Sequence, residues 1–184
     1  MILIKNYLDK EFCKGVINYC EEQELQEAYV GLENEGKVDD KIRRSKTYFI
    51  GWPFYNSPFL NDLYFNLEMK LKEANNMMYG FNLTSFEPFQ FTKYESEDKG
   101  FYDWHIDSMN DRPTSDRKLS FSVLLNDSSE FNGGQFKFRA PFKEKLSQAG
   151  DLLIFPSFEE HCVKPVTKGI RYSLVGWMRG PLMR

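Results

Sequence analysis

The sequence predicts a mainly β protein with flanking helices, in which short strands form a double-sheet jelly roll or barrel. From Phe86 onward apolar residues recur with a period of two, so that Phe89 and Phe91 fall on one face and Tyr94 on the other. Turn-forming residues such as Asn132-Gly133-Gly134 separate the later strand-like runs. Aromatic residues make up 16% of the chain, and such residues favour strands and fill wide interiors.

Two helices are expected before the strand-rich part of the chain. Asp9 can cap a helix that runs to about Glu24. Ser57 and Pro58 suit the N-cap and the first turn of a second helix, which Gly80 can end. Apolar residues recur in that helix at every fourth position, namely Phe59, Leu63, Leu67 and Leu71. This spacing indicates a packing face, so we expect the N-terminal helices to pack on one sheet from outside.

The rest of the chain divides into strand-like runs joined by polar turns. Strands are expected at 1–7, 27–32, 47–52, 102–106, 118–126, 135–140, 152–155 and 171–178. The length of 184 residues suits a single domain that spans 1–184. Within it, 1–85 would supply helical support and the first strands, and 86–184 the jelly-roll core.

Composition argues against several classes of protein. The net charge of −3 disfavours a nucleic-acid footprint over the whole surface. Cys13, Cys20 and Cys162 are odd in number and lack CxxC spacing, which disfavours a disulfide framework or a zinc ribbon. Reduced thiols, a charged N-terminal segment and the lack of a long apolar run predict a cytoplasmic protein without a membrane span. The sequence leaves the oligomeric state open.

The chain contains only two histidines, and each follows a strand-like run. His105 lies two residues before Asp107, and residues i and i+2 of a strand point to the same face. His161 is the only other histidine that can complete a metal site. Two imidazoles and one carboxylate are the ligand set of non-haem Fe(II) oxygenases, which leaves positions open on the metal. A catalytic zinc site and two unconnected structural histidines are the alternatives.

Arg171 opens the last strand-like run, ten residues after His161. Ser173, Val175 and Trp177 share its face of that strand. A buried guanidinium is costly unless an anion meets it, and its fork binds a carboxylate through two hydrogen bonds. One end of 2-oxoglutarate would meet this requirement, and its 2-oxo acid end could reach the metal. The alternative is that Arg171 pairs with a carboxylate of the protein.

Two polar segments have both a functional and a structural interpretation. Residues 41–46 contain four basic side chains, which form either a substrate-facing edge or a solvated strand end. Residues 108–116 follow Asp107 directly and form either a mobile lid over the substrate or a long surface connection.

Several of these residues belong to one recurring pattern. In chain order they are Tyr94, Gly100, His105, Asp107, Arg117-Lys118-Leu119-Ser120, Leu125-Asn126, Gly133-Gly134, His161, Arg171 and Trp177. From about residue 89 to residue 178, the chain resembles the 2-oxoglutarate- and Fe(II)-dependent dioxygenases, particularly their prolyl-4-hydroxylase-like branch. The resemblance implies a double-stranded β-helix, which is a jelly-roll fold.

The resemblance also implies roles for individual residues. His105, Asp107 and His161 would be the iron ligands, and Arg171 would bind the distal carboxylate of 2-oxoglutarate. The cosubstrate pocket would further contain Ser173, Tyr94, Leu124, Phe136 and Trp177. At Leu124 the hypoxia-sensing hydroxylases carry a tyrosine that helps to hold the carboxylate, so this chain departs from them there. Ser173 or Tyr94 can compensate for that difference.

The activity implied by the resemblance is hydroxylation of a substrate with release of succinate and CO₂. Fe(II), 2-oxoglutarate and O₂ would be required, with ascorbate as a stimulating reductant. Arg43 and Arg117 match substrate-side arginines of related enzymes. The favoured substrate is a residue of a peptide or protein, prolyl by analogy. The alternatives are a free amino acid, another small molecule or a nucleobase, and a non-catalytic jelly-roll binding module.

Overall fold

The computed structural model describes residues 1–28, 39–51, 57–108 and 114–182. Within these ranges the chain forms two α-helices, α1 (Lys10–Glu21) and α2 (Pro58–Ala74), and a π-helical turn, Asn75–Tyr79, continues α2. The strands are β1 (Ile2–Ile4), β2 (Gln26–Glu27), β3 (Arg43–Arg44), β4 (Lys46–Ile50), β5 (Ser85–Phe86), β6 (Phe89–Glu95), β7 (Phe101–His105), β8 (Arg117–Leu124), β9 (Asn132–Gly133), β10 (Phe136–Phe138), β11 (Leu152–Pro156), β12 (His161–Val163), β13 (Val166–Lys168) and β14 (Ile170–Arg179).

The strands form a jelly roll of antiparallel sheets, as predicted. The larger sheet has the order β1-β11-β8-β14-β6-β4-β2, and β5 pairs with β14. The smaller sheet has the order β10-β12-β7-β3, and β9 pairs with β13. Neighbours in both sheets are far apart in the chain, so the roll brings together segments that the sequence separates.

The two faces of the larger sheet belong to two different apolar clusters. Phe89, Phe91 and Phe121 point toward the helices and pack with Val16 of α1 and Leu67 of α2. This confirms the predicted packing of the N-terminal helices on one sheet. The opposite face contributes to a smaller cluster that also includes residues of the second sheet, namely Tyr94, Leu124, Phe131, Val163 and Val166, with Tyr102, Phe136 and Leu146 packed against them. We call this second group the inner cluster.

Polar groups cap the start of helix α2 and join the helix to the larger sheet. The sequence predicted the cap but not the bonds to the sheet. The Ser57 hydroxyl accepts a hydrogen bond from the Leu60 N–H at 3.3 Å, and Pro58 occupies the first turn. The Tyr64 hydroxyl donates to the Ile50 carbonyl at 2.6 Å and accepts from the Phe89 N–H at 2.7 Å. These bonds join the helix to strands β4 and β6. The predicted stop at Gly80 is also observed, with a positive φ of 68°.

Several elements differ from the expected pattern. Helix α1 ends at Glu21 rather than near Glu24. Strand β7 ends at His105, one residue earlier than predicted. A two-residue strand, Gln26–Glu27, lies at the start of the expected strand 27–32, and residues 29–38 and 52–56 lie outside the described residues. The short strand β12 was not expected from the pattern. Neither described helix is long and apolar enough to cross a membrane.

Asp151 fastens the N-terminal strand to the turn before β11. Its carboxylate is fully buried and accepts hydrogen bonds from the backbone N–H groups of Asn6, Ser147 and Gln148. The Lys5 ammonium adds an ion pair of 2.8 Å from a half-exposed position. Burial alone would raise the pKa of Asp151, but Lys5 and the three N–H groups outweigh it and hold the pKa below the ordinary 3.8.

Replacing Asp151 by asparagine should lower the free energy of unfolding by about 2–4 kcal/mol at neutral pH, because the amide cannot accept all the bonds of the carboxylate. Since the folded-state pKa is depressed, this stabilisation is present above pH 3.8 and is lost as the pH falls through the lower value. Urea titrations at several pH values should therefore show the two stability curves converging in acid. Lys5→Ala is the control and should cost less than about 1 kcal/mol. A constant difference between the two free energies of unfolding at every pH would contradict the role assigned to the Asp151 carboxylate.

Candidate metal centre

The pairing of β12 with β7 sets His161 directly opposite His105 in the smaller sheet. Asp107 follows two residues after the end of β7. The distance from His105 Nε2 to Asp107 Oδ1 is 3.6 Å, and from His161 Nε2 to Asp107 Oδ2 it is 3.8 Å. Candidate ligand atoms of the three residues all lie within 4.8 Å of one another. The structure thus brings together the three residues that the sequence singled out.

Both imidazoles are oriented in the same way by local backbone. Nδ1 of His105 lies 2.7 Å from the carbonyl oxygen of Asp103, and Nδ1 of His161 lies 2.8 Å from that of Glu159. Because a carbonyl oxygen only accepts, each Nδ1 carries the proton. Each Nε2 of a neutral ring therefore keeps its lone pair and faces Asp107, as metal ligation requires.

Burial and neighbouring charges favour the protonation states of a ligand set. Burial first, and then the neighbouring His161, lower the pKa of His105 to about 3 against the opposing effect of Asp107. Burial alone would raise the pKa of Asp107, but His161, His105, Arg117 and the Ser120 hydroxyl outweigh it and hold the pKa below its usual range. At neutral pH the group therefore offers an uncharged imidazole at His105 and an ionised carboxylate.

Aromatic rings surround the two imidazoles. The Tyr102 ring stacks on His105 at 3.5 Å between ring centroids, and the Phe136 ring stacks on His161 at 5.1 Å. Phe155 meets His161 edge to face at 4.8 Å. Tyr102 and Phe136 also pack against the inner cluster. The three candidate ligands thus lie at the edge of an apolar interior.

Besides the three candidate ligands, this interior contains Arg171, which is only 1% exposed. Its Nη1 donates to the Ser173 hydroxyl at 3.0 Å, whereas Nη2 has no hydrogen-bond partner among the described residues. The Tyr94 ring, which belongs to the inner cluster, lies 5.5 Å from its Cζ. Burial lowers the pKa of Arg171 and Tyr94 opposes this effect. No carboxylate among the described residues pairs with Arg171. The alternative that Arg171 forms an ion pair within the protein is therefore not supported.

The residues predicted to line a cosubstrate pocket lie in two places. Tyr94, Leu124 and Phe136 meet in or against the inner cluster, between Arg171 and the histidines. Trp177 is 8% exposed and packs under the Arg117 guanidinium, whose Cζ lies 3.8 Å from the indole centroid. The first three positions are compatible with a shared pocket, while Trp177 lies beside the arginine that was expected on the substrate side.

Both predicted substrate-side arginines already have protein partners. Arg117 donates to both carboxylate oxygens of Glu87, at 2.7 and 2.6 Å, and weakly to the Asp107 carbonyl at 3.4 Å. Arg43 is buried, stacks on Tyr102 at 4.6 Å and donates to Ser45. Their contacts with substrate stay predictions. Residues 109–113 of the expected lid lie outside the described residues.

The basic run at 41–46 divides between interior and surface. Arg43 turns inward, while Lys46 forms an ion pair with Glu95 at 2.7 Å. Arg44 stacks on Phe101 at 4.7 Å and lines a surface depression of about 610 Å³. Acidic residues line the same depression, namely Glu27, Asp40, Glu95, Glu97 and Asp98. The run therefore does not present one uniformly basic edge.

Sequence reasoning did not assign a role to two serines beside the metal site. The Ser120 hydroxyl donates to Asp107 Oδ2 at 2.6 Å and lies 3.0 Å from the Ser157 hydroxyl. Ser120 belongs to the motif that begins at Arg117. The available signal was the alternation of the strand, which puts Ser120 on the face opposite to Leu119 and Phe121.

Comparison with known families agrees with this geometry. Residues 89–179 match the model of the 2OG-Fe(II) oxygenase superfamily, and this segment contains all three candidate ligands and Arg171. This segment is therefore a 2OG-Fe(II) oxygenase domain. Members of this superfamily use Fe(II), 2-oxoglutarate and O₂. The three candidate ligands of this chain could hold the iron.

Curated relatives of this chain include PKHD-type hydroxylases. One from Synechococcus sp. (strain CC9902) is 37% identical over 79 residues, which are 42% of this chain and 35% of the relative. Another, from Aliarcobacter butzleri (strain RM4018), is 35% identical over 96 residues, which are 48% of this chain and 42% of the relative. The chain thus spans less than half the length of these relatives.

Solved structures share the fold of this chain almost throughout. A prolyl-4-hydroxylase from Pseudomonas putida has a TM-score of 0.74 at 22% identity, covering 98% of this chain and 92% of its own. A prolyl hydroxylase from Trichoplax adhaerens, in complex with a hypoxia inducible factor peptide fragment, has a TM-score of 0.77 at 19% identity. It covers 97% of this chain and 82% of its own. At these identities the likeness establishes the fold.

The residues present fit both groups that the superfamily uses. Two imidazoles with free Nε2 atoms and one ionised carboxylate suit Fe(II). At the other end, Arg171 has a buried Nη2 without a partner among the described residues, and a carboxylate would supply that partner. The chemistry of both donor sets therefore suits the metal and the dicarboxylate.

Proposed function

We propose that this chain is an Fe(II)- and 2-oxoglutarate-dependent dioxygenase that hydroxylates a peptidyl residue and releases succinate and CO₂. One observation carries the proposal. A buried guanidinium, whose Nη2 has no hydrogen-bond partner among the residues that the structure describes, lies in the same apolar interior as a histidine, aspartate and histidine group. A catalytic zinc site would not by itself explain this guanidinium, and neither would a structural sandwich.

His105, Asp107 and His161 would hold the iron, and Arg171 would hold the distal carboxylate of the cosubstrate. When bound, Fe(II) supplies the oxygen activation that side chains cannot provide, with 2-oxoglutarate as the reductant. The protein's own contribution is ligation, orientation and exclusion of water.

Orientation of the cosubstrate would depend on Arg171 and Ser173. Arg171 Nη1 donates to the Ser173 oxygen, so the Ser173 proton remains available to a ligand carboxylate. With Nη2, this gives two donors at one end of the pocket. Leu124 cannot add a third, and Tyr94 beside the guanidinium is the group best placed to compensate.

Water would be excluded by the aromatic side chains around the imidazoles. Tyr102, Phe136 and Phe155 cover faces or edges of the two rings, and the inner cluster continues this apolar lining toward Arg171. A dry site strengthens the charge interactions of the carboxylate and guanidinium groups inside it.

A peptide or protein is the substrate class that the comparisons favour. A structural neighbour holds a peptide fragment, and the relatives are named as hydroxylases. We propose a prolyl-4-hydroxylase-like reaction on this basis. Phe138 and Phe142, which meet at 5.6 Å and are each partly exposed, add an apolar wall near His161 that suits a cyclic aliphatic side chain.

The test is iron-dependent turnover. Protein supplied with Fe(II), 2-oxoglutarate, O₂ and ascorbate should form succinate, and proline-containing peptides should gain one oxygen by mass spectrometry. Oxygen gain by free amino acids instead of peptides would redirect the proposal to a small-molecule substrate. Absence of a metal-to-ligand charge-transfer band in the anaerobic complex with Fe(II) and 2-oxoglutarate would refute the site assignment.

A further inference from the structure

Asp107 is not held in place by the ladder of a strand. Strand β7 ends at His105, so the ligand carboxylate depends on other contacts. The Asp107 N–H and the Ser108 N–H both donate to the Ser157 carbonyl, at 2.9 and 3.0 Å. Ser157 in turn donates its own N–H to the Lys118 carbonyl of β8. This fastens the backbone at Asp107 to the larger sheet.

The side chain of Asp107 is held by β8 and Ser157 as well. Ser120 on β8 lies 2.6 Å from Asp107 Oδ2 and 3.0 Å from the Ser157 hydroxyl. An ionised carboxylate can only accept, so the single Ser120 proton goes to Asp107. Ser157 must then donate to Ser120. The result is a directed relay from Ser157 to Ser120 to Asp107, in which each bond polarises the next.

The two carboxylate oxygens of Asp107 differ in their hydrogen bonding. Oδ2 accepts the Ser120 proton, whereas Oδ1 accepts no hydrogen bond from the described residues and is the oxygen nearer His105. Both serine side chains are buried, at 1% and 0% exposure, so water does not substitute easily for either hydroxyl. A carboxylate held in this way offers one free oxygen in a set orientation.

We propose that Ser120 and Ser157 are positioning residues that hold Asp107 by one carboxylate oxygen and present the other to the metal. This inference rests on the proposed function, because it assumes that Asp107 is a metal ligand. Binding through one oxygen keeps positions open on the metal for the cosubstrate and O₂. A carboxylate free to rotate would bind through both oxygens or leave the metal.

The test measures metal binding directly. Mn(II) affinity by titration calorimetry and the visible spectrum of the Co(II) protein are compared among variants of the full chain. Ser120→Ala should weaken Mn(II) binding about 10–100-fold and change the Co(II) spectrum, as expected for loss of a group that orients a ligand. Ser120→Thr retains the hydroxyl and should restore most of the affinity. Ser157→Ala keeps the backbone carbonyl and should cause a smaller loss, of about two- to fivefold.

Ser122 is the matched control. It lies two residues along the same strand and is also 1% exposed, but the side-chain hydrogen bond to Asp107 comes from Ser120 and not from Ser122. Ser122→Ala should leave Mn(II) affinity and the Co(II) spectrum unchanged. Thermal unfolding of the metal-free variants monitors the fold.

Three results would overturn the inference. One is wild-type affinity in Ser120→Ala. Another is an equal loss in Ser122→Ala, and the third is a loss that Ser120→Thr fails to restore. If the wild-type protein binds neither Mn(II) nor Co(II), the proposed function itself fails. If the wild-type protein binds these metals and one of the three results is found, only the positioning role of the serines fails.

Discussion

Replacing Arg171 by alanine should raise the 2-oxoglutarate concentration needed for half-maximal turnover by about 100-fold or more. The reason is the loss of charge-assisted hydrogen bonds, which are worth about 1.5–3 kcal/mol each, to a carboxylate in a dry site. Affinity for Mn(II) should stay within about threefold, because Arg171 does not contact the histidines or Asp107 and distant sites act independently.

Two further variants make this result specific. Arg171→Lys keeps the charge but loses the planar fork, so it should recover only a small part of the cosubstrate affinity. Arg43→Ala is the control, because Arg43 is also buried and stacks on Tyr102 rather than beside Tyr94. It should leave the 2-oxoglutarate requirement unchanged. Simultaneous loss of metal and cosubstrate binding in Arg171→Ala would instead identify a structural arginine.

Replacing Asp107 by asparagine should abolish both turnover and stabilisation by metal. At a metal concentration of 100 times Kd, binding adds about 2.7 kcal/mol to the free energy of unfolding of the wild-type protein. For a chain of this size, that corresponds to about 5–10 °C in Tm. Asparagine retains the size of the side chain and an acceptor for Ser120 but loses the charge, so the variant should fold and show no such increase.

Thermal unfolding with Mn(II) and with EDTA checks this expectation. Asp103→Asn is the matched control, since it makes the same chemical change two residues before His105 on an exposed side chain. Only the backbone carbonyl of Asp103 contacts the His105 imidazole, so this variant should keep the full increase in Tm. Metal stabilisation that survives in Asp107→Asn would place the metal elsewhere.

The sequence predicted the parts of the fold that depend on local periodicity. Phe89 and Phe91 lie in the helix-side core and Tyr94 in the inner cluster, as alternation required. Capping by Asp9 and the helix start at Ser57 also follow from short-range chemistry. The fold class needed little more than these periods and the turn residues between them.

Elements set by tertiary pairing were harder to predict. Strand β12 has only three residues and lies between charged segments, so no period identifies it. Its pairing with β7 nevertheless decides where His161 lies. Strand register depends on contacts across the roll, which local patterns do not contain.

The residues of the candidate site could be predicted from the sequence, but the contacts that hold them in place could not. Residue type and spacing identified Arg171 and the three candidate ligands, and the structure brings these three together, namely His105, Asp107 and His161. Strand alternation does not account for the position of Asp107, because β7 ends before this residue. The bidentate contact of Arg117 with Glu87 joins residues distant in the chain, and nothing local to Arg117 indicates it.

The opposition of His105 and His161 across the β7–β12 pair has a consequence for the order of folding. Strands β8 to β11 lie between the two histidines in the chain, so the pair can form only after that whole segment has folded back. Such non-local pairing is slow, because loop-closure entropy is spent before the contacts form. The metal therefore has no complete site on a partly folded chain. Its binding should lengthen the lifetime of the native state rather than speed its formation.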